Sequence, residues 1–223
     1  MSEVYLCLHG LGPPPLRVRD PERPFWLPSE RLGEIIKLAR KYETATRSIR
    51  LTFDDGNKSD VSVALPILQN HGCRASFFVS SKVIGDPDYM DEADIIRLRD
   101  AGMMIGCHGV DHVRWTSLPT GELISQVRQS IEALSSIVGN SVDSVAPPFG
   151  AYNRRVLRVL REVGVSNVFT TDDREARSDA WMKPRFTVKA QTSLKEIELR
   201  FSGRLQRARR LRNWVRQCAR QYL

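Results

Sequence analysis

The sequence lacks the segments that would carry it into or across a membrane. No apolar run approaches the ~18–20 residues that a membrane-spanning helix needs. The first residues, Met1 to Leu11, have no basic region ahead of their short apolar stretch and no small-residue cleavage site, so no secretory signal is predicted. We therefore expect a cytoplasmic protein.

Cysteine and histidine are scarce, with four of each in 223 residues. The cysteines form no Cys-x-x-Cys pair; they are Cys7, Cys73, Cys107 and Cys218. This spacing argues against a disulfide framework and favours free buried thiols. A chain of this length buries roughly 70–75% of its unfolded surface, so it needs neither a disulfide nor a structural metal to fold.

The positive charge of the chain is concentrated at one end. The formal net charge is +8, yet residues 193–223 hold nine basic and two acidic side chains. Apolar residues recur there at three- and four-residue steps, which predicts a basic amphipathic helix over 193–223. Three interpretations stay open: packing on the main domain, peripheral contact with an anionic membrane at its inner face, or binding to a partner or nucleic acid. No aromatic-interleaved motif supports nucleic acid.

Residues 1–192 are nearly neutral and read as one α/β domain. Short apolar strands alternate with amphipathic helices, which indicates parallel β/α units. Among these elements we predict a helix over 60–70, a helix over 120–138 from its apolar periodicity, and a last strand over 167–170. Polar residues follow several of these strands: His9, Asp54-Asp55, His108 and Asp172-Asp173. Because the carboxyl ends of parallel strands meet on one face, these positions form a candidate site.

Two short motifs carry ligand-type or acid/base side chains. In Thr52-Phe53-Asp54-Asp55-Gly56, one carboxylate could bind a metal while the other acts as a base, provided that the chain turns at Gly56. The alternative is a turn that caps the next helix. His108 and His112 are spaced to share one face of a helical turn, and with one Asp they would leave coordination positions open for water and substrate. The alternative is one surface and one core histidine.

Together, TFDDG, the H-x₃-H pair and Pro147-Pro148-Phe149-Gly150 resemble the polysaccharide deacetylases, the NodB-homology group of carbohydrate esterases. The resemblance extends from Val4 to about Val188. It implies a distorted (β/α) barrel of about seven strands and a divalent metal, with zinc expected. It also implies roles for individual residues: Asp54 as general base; Asp55, His108 and His112 as metal ligands; Pro148 and Phe149 as a groove wall, with the Phe149 amide in the oxyanion hole.

The chain departs from the usual family pattern in two places. Ala146 stands where an Arg usually begins the third motif, and no His follows His112. A subgroup similar to the poly-N-acetylglucosamine deacetylases shares both features. By that resemblance Arg185 is expected to pair with Asp54, and His9, after the first strand, to act as general acid. Trp181 either lines the acetyl pocket or belongs to the core.

The resulting hypothesis is a metal-dependent N-deacetylase of an amino sugar in glycan or cell-envelope biosynthesis. A cytoplasmic chain with a basic tail suggests a nucleotide-linked, lipid-linked or short soluble substrate. Two alternatives stay open. The protein could be a C–N hydrolase acting on a non-sugar amide, or a barrel that binds a glycan or membrane without turnover.

Overall fold

The computed structural model describes residues 1–203, in which strands and helices alternate. The strands are β1 (Ser2–Leu8), β2 (Arg47–Asp55), β3 (Ala75–Val79), β4 (Met104–Cys107), β5 (Ser144–Val145), β6 (Asn167–Thr170), β7 (Ala176–Arg177) and β8 (Met182–Thr187). The helices are α1 (Ser29–Tyr42), α2 (Leu65–Asn70), α3 (Glu92–Asp100), α4 (Thr120–Val138), α5 (Arg154–Glu162) and α6 (Leu194–Phe201).

Seven of the strands described in residues 1–203 run parallel and close into a barrel. Their order is β2-β3-β4-β5-β6-β8-β1, and β1 pairs back onto β2 along its whole length. The short strand β7 pairs antiparallel with the start of β1. The predicted distorted (β/α) barrel of about seven strands is confirmed.

Side chains of β1 alternate between two environments, as the pleat of a strand requires. Val4, Leu6 and Leu8 belong to the large core between the strands and the helices. Tyr5 instead joins a smaller cluster that fills the barrel, together with Phe78, Ala146, Phe169 and Ala176. Inward positions near the carboxyl ends of the strands therefore become the floor of any site there.

The structure agrees with the predicted elements in most places and corrects them in two. Helix α4 has the bounds predicted from its apolar periodicity. The helix predicted over 60–70 begins as a π-helical turn, Asp60–Ala64, and becomes α-helical only from Leu65. Strand β8 was not predicted, because a proline flanked by charged residues interrupts its apolar pattern.

The predicted C-terminal helix is described only at its start. Helix α6 packs on α1, and its Ile197 and Phe201 are fully buried in the main core. Its Arg200 guanidinium donates to both carboxylate oxygens of Asp173, at 3.1 and 3.2 Å. The rest of the predicted helix lies outside the described residues. No helix within residues 1–203 is long and apolar enough to cross a membrane.

Candidate active site

The carboxyl ends of the barrel strands bring together most of the candidate residues. His9 follows β1, Asp54 and Asp55 end β2, and His108 follows β4. A 3₁₀ turn, Pro148–Gly150, follows β5 on the same face. Residues far apart in the sequence thus share one end of the barrel, as expected for parallel β/α units.

Asp54 and Arg185 form a buried ion pair inside the barrel. Arg185 Nη1 donates to Asp54 Oδ1 at 2.6 Å, and Nη2 donates to Oδ2 at 2.7 Å. The two side chains are 5% and 0% exposed. Burial alone would raise the pKa of Asp54, but the Arg185 guanidinium, together with His108 and His9, outweighs it and holds the pKa below its usual range. The expected pairing is therefore present, and it supplies Asp54 as a fixed carboxylate.

Asp55 reaches the site because the backbone turns at this residue itself. Its φ is +81°, in the left-handed region, and Gly56 follows with φ +79°. A Cβ on Gly56 would lie 2.9 Å from Val79 Cγ1, so glycine is needed for space as well as for conformation. Without the turn, adjacent residues of β2 would face opposite sides of the sheet. The turn is the reason that both carboxylates face the site.

The two histidines do not lie on a helical turn, so that prediction is wrong. His108 leads into a loop in which Gly109 has φ +82° and His112 has φ +51°. These left-handed residues fold the loop back, and the ring centroids of His108 and His112 come within 5.1 Å of each other. The four-residue spacing works through a compact loop rather than through helical periodicity.

Asp55, His108 and His112 form a cluster that fits a divalent cation. The Nδ1 atom of His108 donates to the Ala146 carbonyl oxygen at 2.7 Å, so Nε2 is left as an acceptor in the neutral ring. That Nε2 lies 3.4 Å from Asp55 Oδ1, and His112 Nε2 lies 3.2 Å from the same oxygen.

This arrangement passes a chemical test for a metal site. Asp55 Oδ1 is buried and has no hydrogen-bond partner among residues 1–203. A carboxylate oxygen facing two imidazole nitrogens is stabilised by a cation between them, and a backbone carbonyl behind a ligating histidine is the usual orienting partner. Two histidines and one carboxylate also leave coordination positions open, as catalytic rather than structural sites do.

His9 lies beside Asp54 rather than in the metal-type cluster. Its ring, Cys7 Sγ and a carboxylate oxygen of Asp54 offer ligand-type atoms within 4.8 Å of one another. Phe25 packs on the imidazole with the ring centroids 5.0 Å apart. Burial lowers the pKa of His9, and the carboxylates Asp55 and Asp54 oppose that shift without cancelling it. The His9 ring therefore contacts Phe25 on one side and lies beside Asp54, the candidate base, on the other.

The Pro148–Gly150 turn places an aromatic ring at the rim. Phe149 has φ +59° and ψ +11°, an unusual conformation for an aromatic residue, and its side chain is 47% exposed. Its ring lies 4.5 Å from the His112 ring, while Pro148 is buried beneath. Tyr152 stabilises the segment from behind by donating its hydroxyl to Asp172 Oδ2 at 2.6 Å.

Trp181 does not lie at the site, so the prediction that it lines the acetyl pocket is wrong. It precedes β8, and the carboxyl end of that strand is the one that faces the site. Its indole Nε1 donates to the Val165 carbonyl oxygen at 2.8 Å, and Arg161 stacks on the ring at 4.4 Å. It packs against the main core at the amino end of the barrel.

Sequence reasoning missed Cys7 as a neighbour of the candidate base. Its thiol donates to Asp54 Oδ2, with 3.3 Å between sulfur and oxygen. The period-two alternation of β1 contains the signal, since Cys7 shares the inward face with Tyr5 and lies two residues before His9. A buried cysteine in an apolar strand reads as core until its strand neighbours are known.

The fold and the site define a closed parallel (β/α) barrel that gathers carboxylates and histidines at the carboxyl ends of its strands. The sequence profile of the family described as polysaccharide deacetylase matches residues 41–168, more than half of the chain. The chain belongs to the polysaccharide deacetylase family.

Curated relatives match the chain over part of its length. The peptidoglycan-N-acetylglucosamine deacetylase PgdA of Listeria monocytogenes is 32% identical over 131 residues, covering 58% of this chain and 26% of PgdA. A chitin deacetylase of Pestalotiopsis sp is 31% identical over 134 residues, covering 58% of this chain and 44% of that protein. The chain spans about half or less of the length of the curated relatives it matches.

Solved structures show the same fold over most of the chain. The deacetylase PplD of Streptococcus pyogenes has a TM-score of 0.78 at 16% identity, covering 88% of this chain and 96% of PplD. IcaB of Ammonifex degensii has a TM-score of 0.77 at 20% identity, covering 90% of this chain and 97% of IcaB. At these identities the likeness establishes the fold.

Proposed function

We propose that this chain is a metal-dependent hydrolase that removes the acetyl group from an N-acetylated amino sugar. The observation that carries the proposal is the juxtaposition of two units at one end of the barrel. One is the Asp55–His108–His112 cluster, whose atoms fit a divalent cation. The other is the Asp54–Arg185 pair beside it. Membership in the family supports the choice of an acetylated glycan as substrate.

Each group has a chemical task in this proposal. A divalent cation, with zinc expected, would polarise the acetamide carbonyl and make a water more acidic. Asp54 takes a proton from the water as it attacks the carbonyl carbon. The backbone N–H of Phe149 stabilises the negative oxygen that develops. His9, in its protonated form, gives a proton to the departing nitrogen and becomes neutral, and the C–N bond breaks to leave acetate and the amine.

The direct test combines metal content with acetate release. Wild type and Asp54→Asn are loaded with zinc and assayed on N-acetylglucosamine oligosaccharides, on nucleotide-linked N-acetylglucosamine and on N-acetylated amino acids. We expect stoichiometric metal in both proteins, and acetate from at least one sugar with wild type only. The Asn variant should be at least about 100-fold slower because the base is lost.

Two results would favour the alternative functions instead. Acetate from the N-acetylated amino acids alone would indicate a C–N hydrolase of non-sugar amides. Stoichiometric metal with no acetate from any substrate would indicate a barrel that binds without turnover.

The role of His9 has its own test. His9→Ala should lose most turnover while keeping bound metal, because His9 lies beside Asp54 and outside the Asp55 cluster. His71→Ala, at the end of α2, is the matched control and should keep wild-type rates. Wild-type rates for His9→Ala at every pH tested would refute the assignment.

We extend the proposal to sugars that carry a phosphate, as nucleotide- and lipid-linked sugars do. Arg114 lies 4.8 Å from the centre of the Phe149 ring, and Lys189 lies 4.8 Å from that of Phe25. These two rings contact the site histidines, and neither cation has a carboxylate within ion-pair distance among residues 1–203. Arg114→Gln and Lys189→Gln should raise KM for the phosphorylated substrate only, and equal effects on neutral sugars would reject this extension.

The cytoplasmic location and the membrane contact through residues 193–223 stay predictions. Helix α6, the part of that segment that is described, is packed on the barrel. Flotation with anionic liposomes, comparing the full chain with a chain ending at Gly203, tests the remainder. Equal flotation of both would remove the membrane interpretation.

A further inference from the structure

Cys7 occupies an inward position of β1 directly below the candidate site. Its neighbours Leu6 and Leu8 face the helix layer, and Cys7 is 1% exposed. In the barrel wall it pairs with Thr52 of β2 on one side and with Thr187 of β8 on the other. The thiol is therefore held between the strand that carries Asp54 and the strand that carries Arg185.

The carboxylate of Asp54 receives donors from two different strands. Arg185 of β8 donates to both of its oxygens, at 2.6 and 2.7 Å. Cys7 of β1 donates its S–H to Oδ2, with 3.3 Å between sulfur and oxygen. Burial raises the pKa of the Cys7 thiol well above its ordinary value, so the sulfur keeps its proton at neutral pH.

The two donors constrain Asp54 differently. The Arg185 guanidinium reaches Asp54 from β8 and is itself held by hydrogen bonds to Thr52 Oγ1 at 3.0 Å and to the Thr170 carbonyl oxygen at 3.4 Å, so it fixes the carboxylate from that side. Cysteine has a single χ torsion on a backbone fixed by β-pairing, so the position of its sulfur follows from the strand. The Cys7 thiol adds a third donor, from β1, and so constrains the carboxylate from a second direction. Because the thiol is uncharged, it does so without adding another positive charge beside the carboxylate.

We propose that Cys7 is a positioning residue that holds the Asp54 carboxylate, jointly with Arg185, in the orientation that accepts the proton of the attacking water. This inference rests on the proposed function, in which Asp54 is the base. It predicts that kcat depends on the hydrogen-bond donor of Cys7, and that this dependence does not arise from metal binding or folding.

The kinetic test separates the donor from the volume of the side chain. Cys7→Ser keeps a donor, Cys7→Ala removes it, and Cys7→Val removes it while filling the space. We expect kcat to fall about fivefold in the Ala and Val variants, the size of one weak hydrogen bond, with KM and zinc content unchanged. The Ser variant should stay within about twofold of wild type.

The control is Cys73→Ala, which removes a partly buried thiol ahead of the amino end of β3 and should leave both constants unchanged. A Ser variant as slow as Ala, or Ala and Val variants at the wild-type kcat, would overturn the proposal. So would a kcat loss that tracks zinc content. Loss of all acetate release in Asp54→Asn, with no effect of the Cys7 variants, would leave the proposed function standing and reject only this inference.

A spectroscopic measurement covers the case in which the Ala variant does not fold. The S–H stretching band assigned to Cys7, by difference with Cys7→Val, should lie at lower wavenumber than those of the other thiols, because the bond is weakened by donation to a carboxylate. In Asp54→Ala it should return to the position of a thiol without that acceptor. A band that does not move would overturn the contact.

Discussion

The two ends of the barrel both contain buried charged groups, and the amino end satisfies more of them internally. An exception there is Arg47 at the start of β2, which pairs with Glu175 but whose buried Nε has no hydrogen-bond partner among residues 1–203. At the amino end, Tyr5 donates its hydroxyl to Glu3 at 2.7 Å. Lys183 lies 3.6 Å from Glu3 and donates to the Ser178 carbonyl oxygen at 2.7 Å. At the carboxyl end, Asp55 Oδ1, His9 Nδ1 and both carboxylate oxygens of Asp60 are buried without a hydrogen-bond partner among residues 1–203.

Backbone strain follows the same division. Within residues 1–203, every non-glycine residue with positive φ lies in a connection after the carboxyl end of a strand or at that end: Asp55, Asp88, His112, Phe149 and Asp173. Left-handed conformations and unpaired buried atoms each cost free energy, and such costs persist where function requires the geometry. This comparison indicates that the charged groups at the amino end mainly stabilise the fold, whereas those at the carboxyl end are arranged for the proposed reaction.

Arg185 gives the largest expected effect, and it tests whether the carboxyl end also contributes to folding. Arg185→Met should lower the free energy of unfolding by about 3–5 kcal/mol, because Asp54 would stay buried without its partner. Chemical denaturation of the metal-free protein measures this. The double variant Asp54→Asn/Arg185→Met is the control and should recover much of the loss. A single-variant loss below about 1 kcal/mol would mean that the pair serves chemistry alone.

Trp181 gives the next effect and tests the opposite end. Trp181→Ala should lower the free energy of unfolding by about 2 kcal/mol, because it removes a partly buried ring and its hydrogen bond to Val165. The kcat/KM should not change, since the side chain lies away from the site. Arg161→Gln, which removes only the stacked cation, should cost less. A Trp181→Ala protein of normal stability and reduced kcat/KM would return this residue to the acetyl pocket.

The sequence predicted best where one local pattern decides the structure. Helix α4 carries its own apolar periodicity over nineteen residues, and its predicted bounds hold. Asp54, Asp55, His108 and His112 were grouped because parallel strand ends converge, and the structure places them together.

The errors arose where tertiary contacts decide instead. In β8, Lys183 and Arg185 point into the barrel and are stabilised there by Glu3 and Asp54, partners that local patterning does not show. Because β8 was not recognised, the end of the barrel at which Trp181 lies could not be known. The H-x₃-H loop was misread because a four-residue spacing does not distinguish a helical turn from left-handed backbone at Gly109 and His112.

Phe149 offers a smaller effect that separates stability from activity within the carboxyl end. Phe149→Gly should change the free energy of unfolding by less than about 1 kcal/mol, because relief of the left-handed conformation offsets the chain entropy of glycine. The kcat/KM should fall about tenfold as the turn loses its fixed amide. Thermal unfolding and acetate release measure the two quantities. A clear loss of stability without a loss of activity would reverse the assignment of this turn.

Asp91 gives the smallest effect. It is an exception to the division between the two ends, because it lies at the carboxyl end of the barrel yet stabilises the fold. It caps α3 by accepting from the Asp94 backbone N–H at 2.9 Å, and Lys58 Nζ lies 3.2 Å from its other oxygen. The Asp94 hydrogen bond and then Lys58 hold the pKa of Asp91 below its usual range.

Asp91→Ala should lower the free energy of unfolding by about 1 kcal/mol at pH 7. Because the folded-state pKa is depressed, this contribution is complete above about pH 4, the unfolded value, and is lost as the pH falls through the folded pKa. Asp91→Asn, which keeps the acceptor without the charge, should show a smaller and nearly pH-independent loss in denaturation curves at pH 7 and pH 3. An Asp91→Ala penalty that grows towards low pH would contradict the cap as the source.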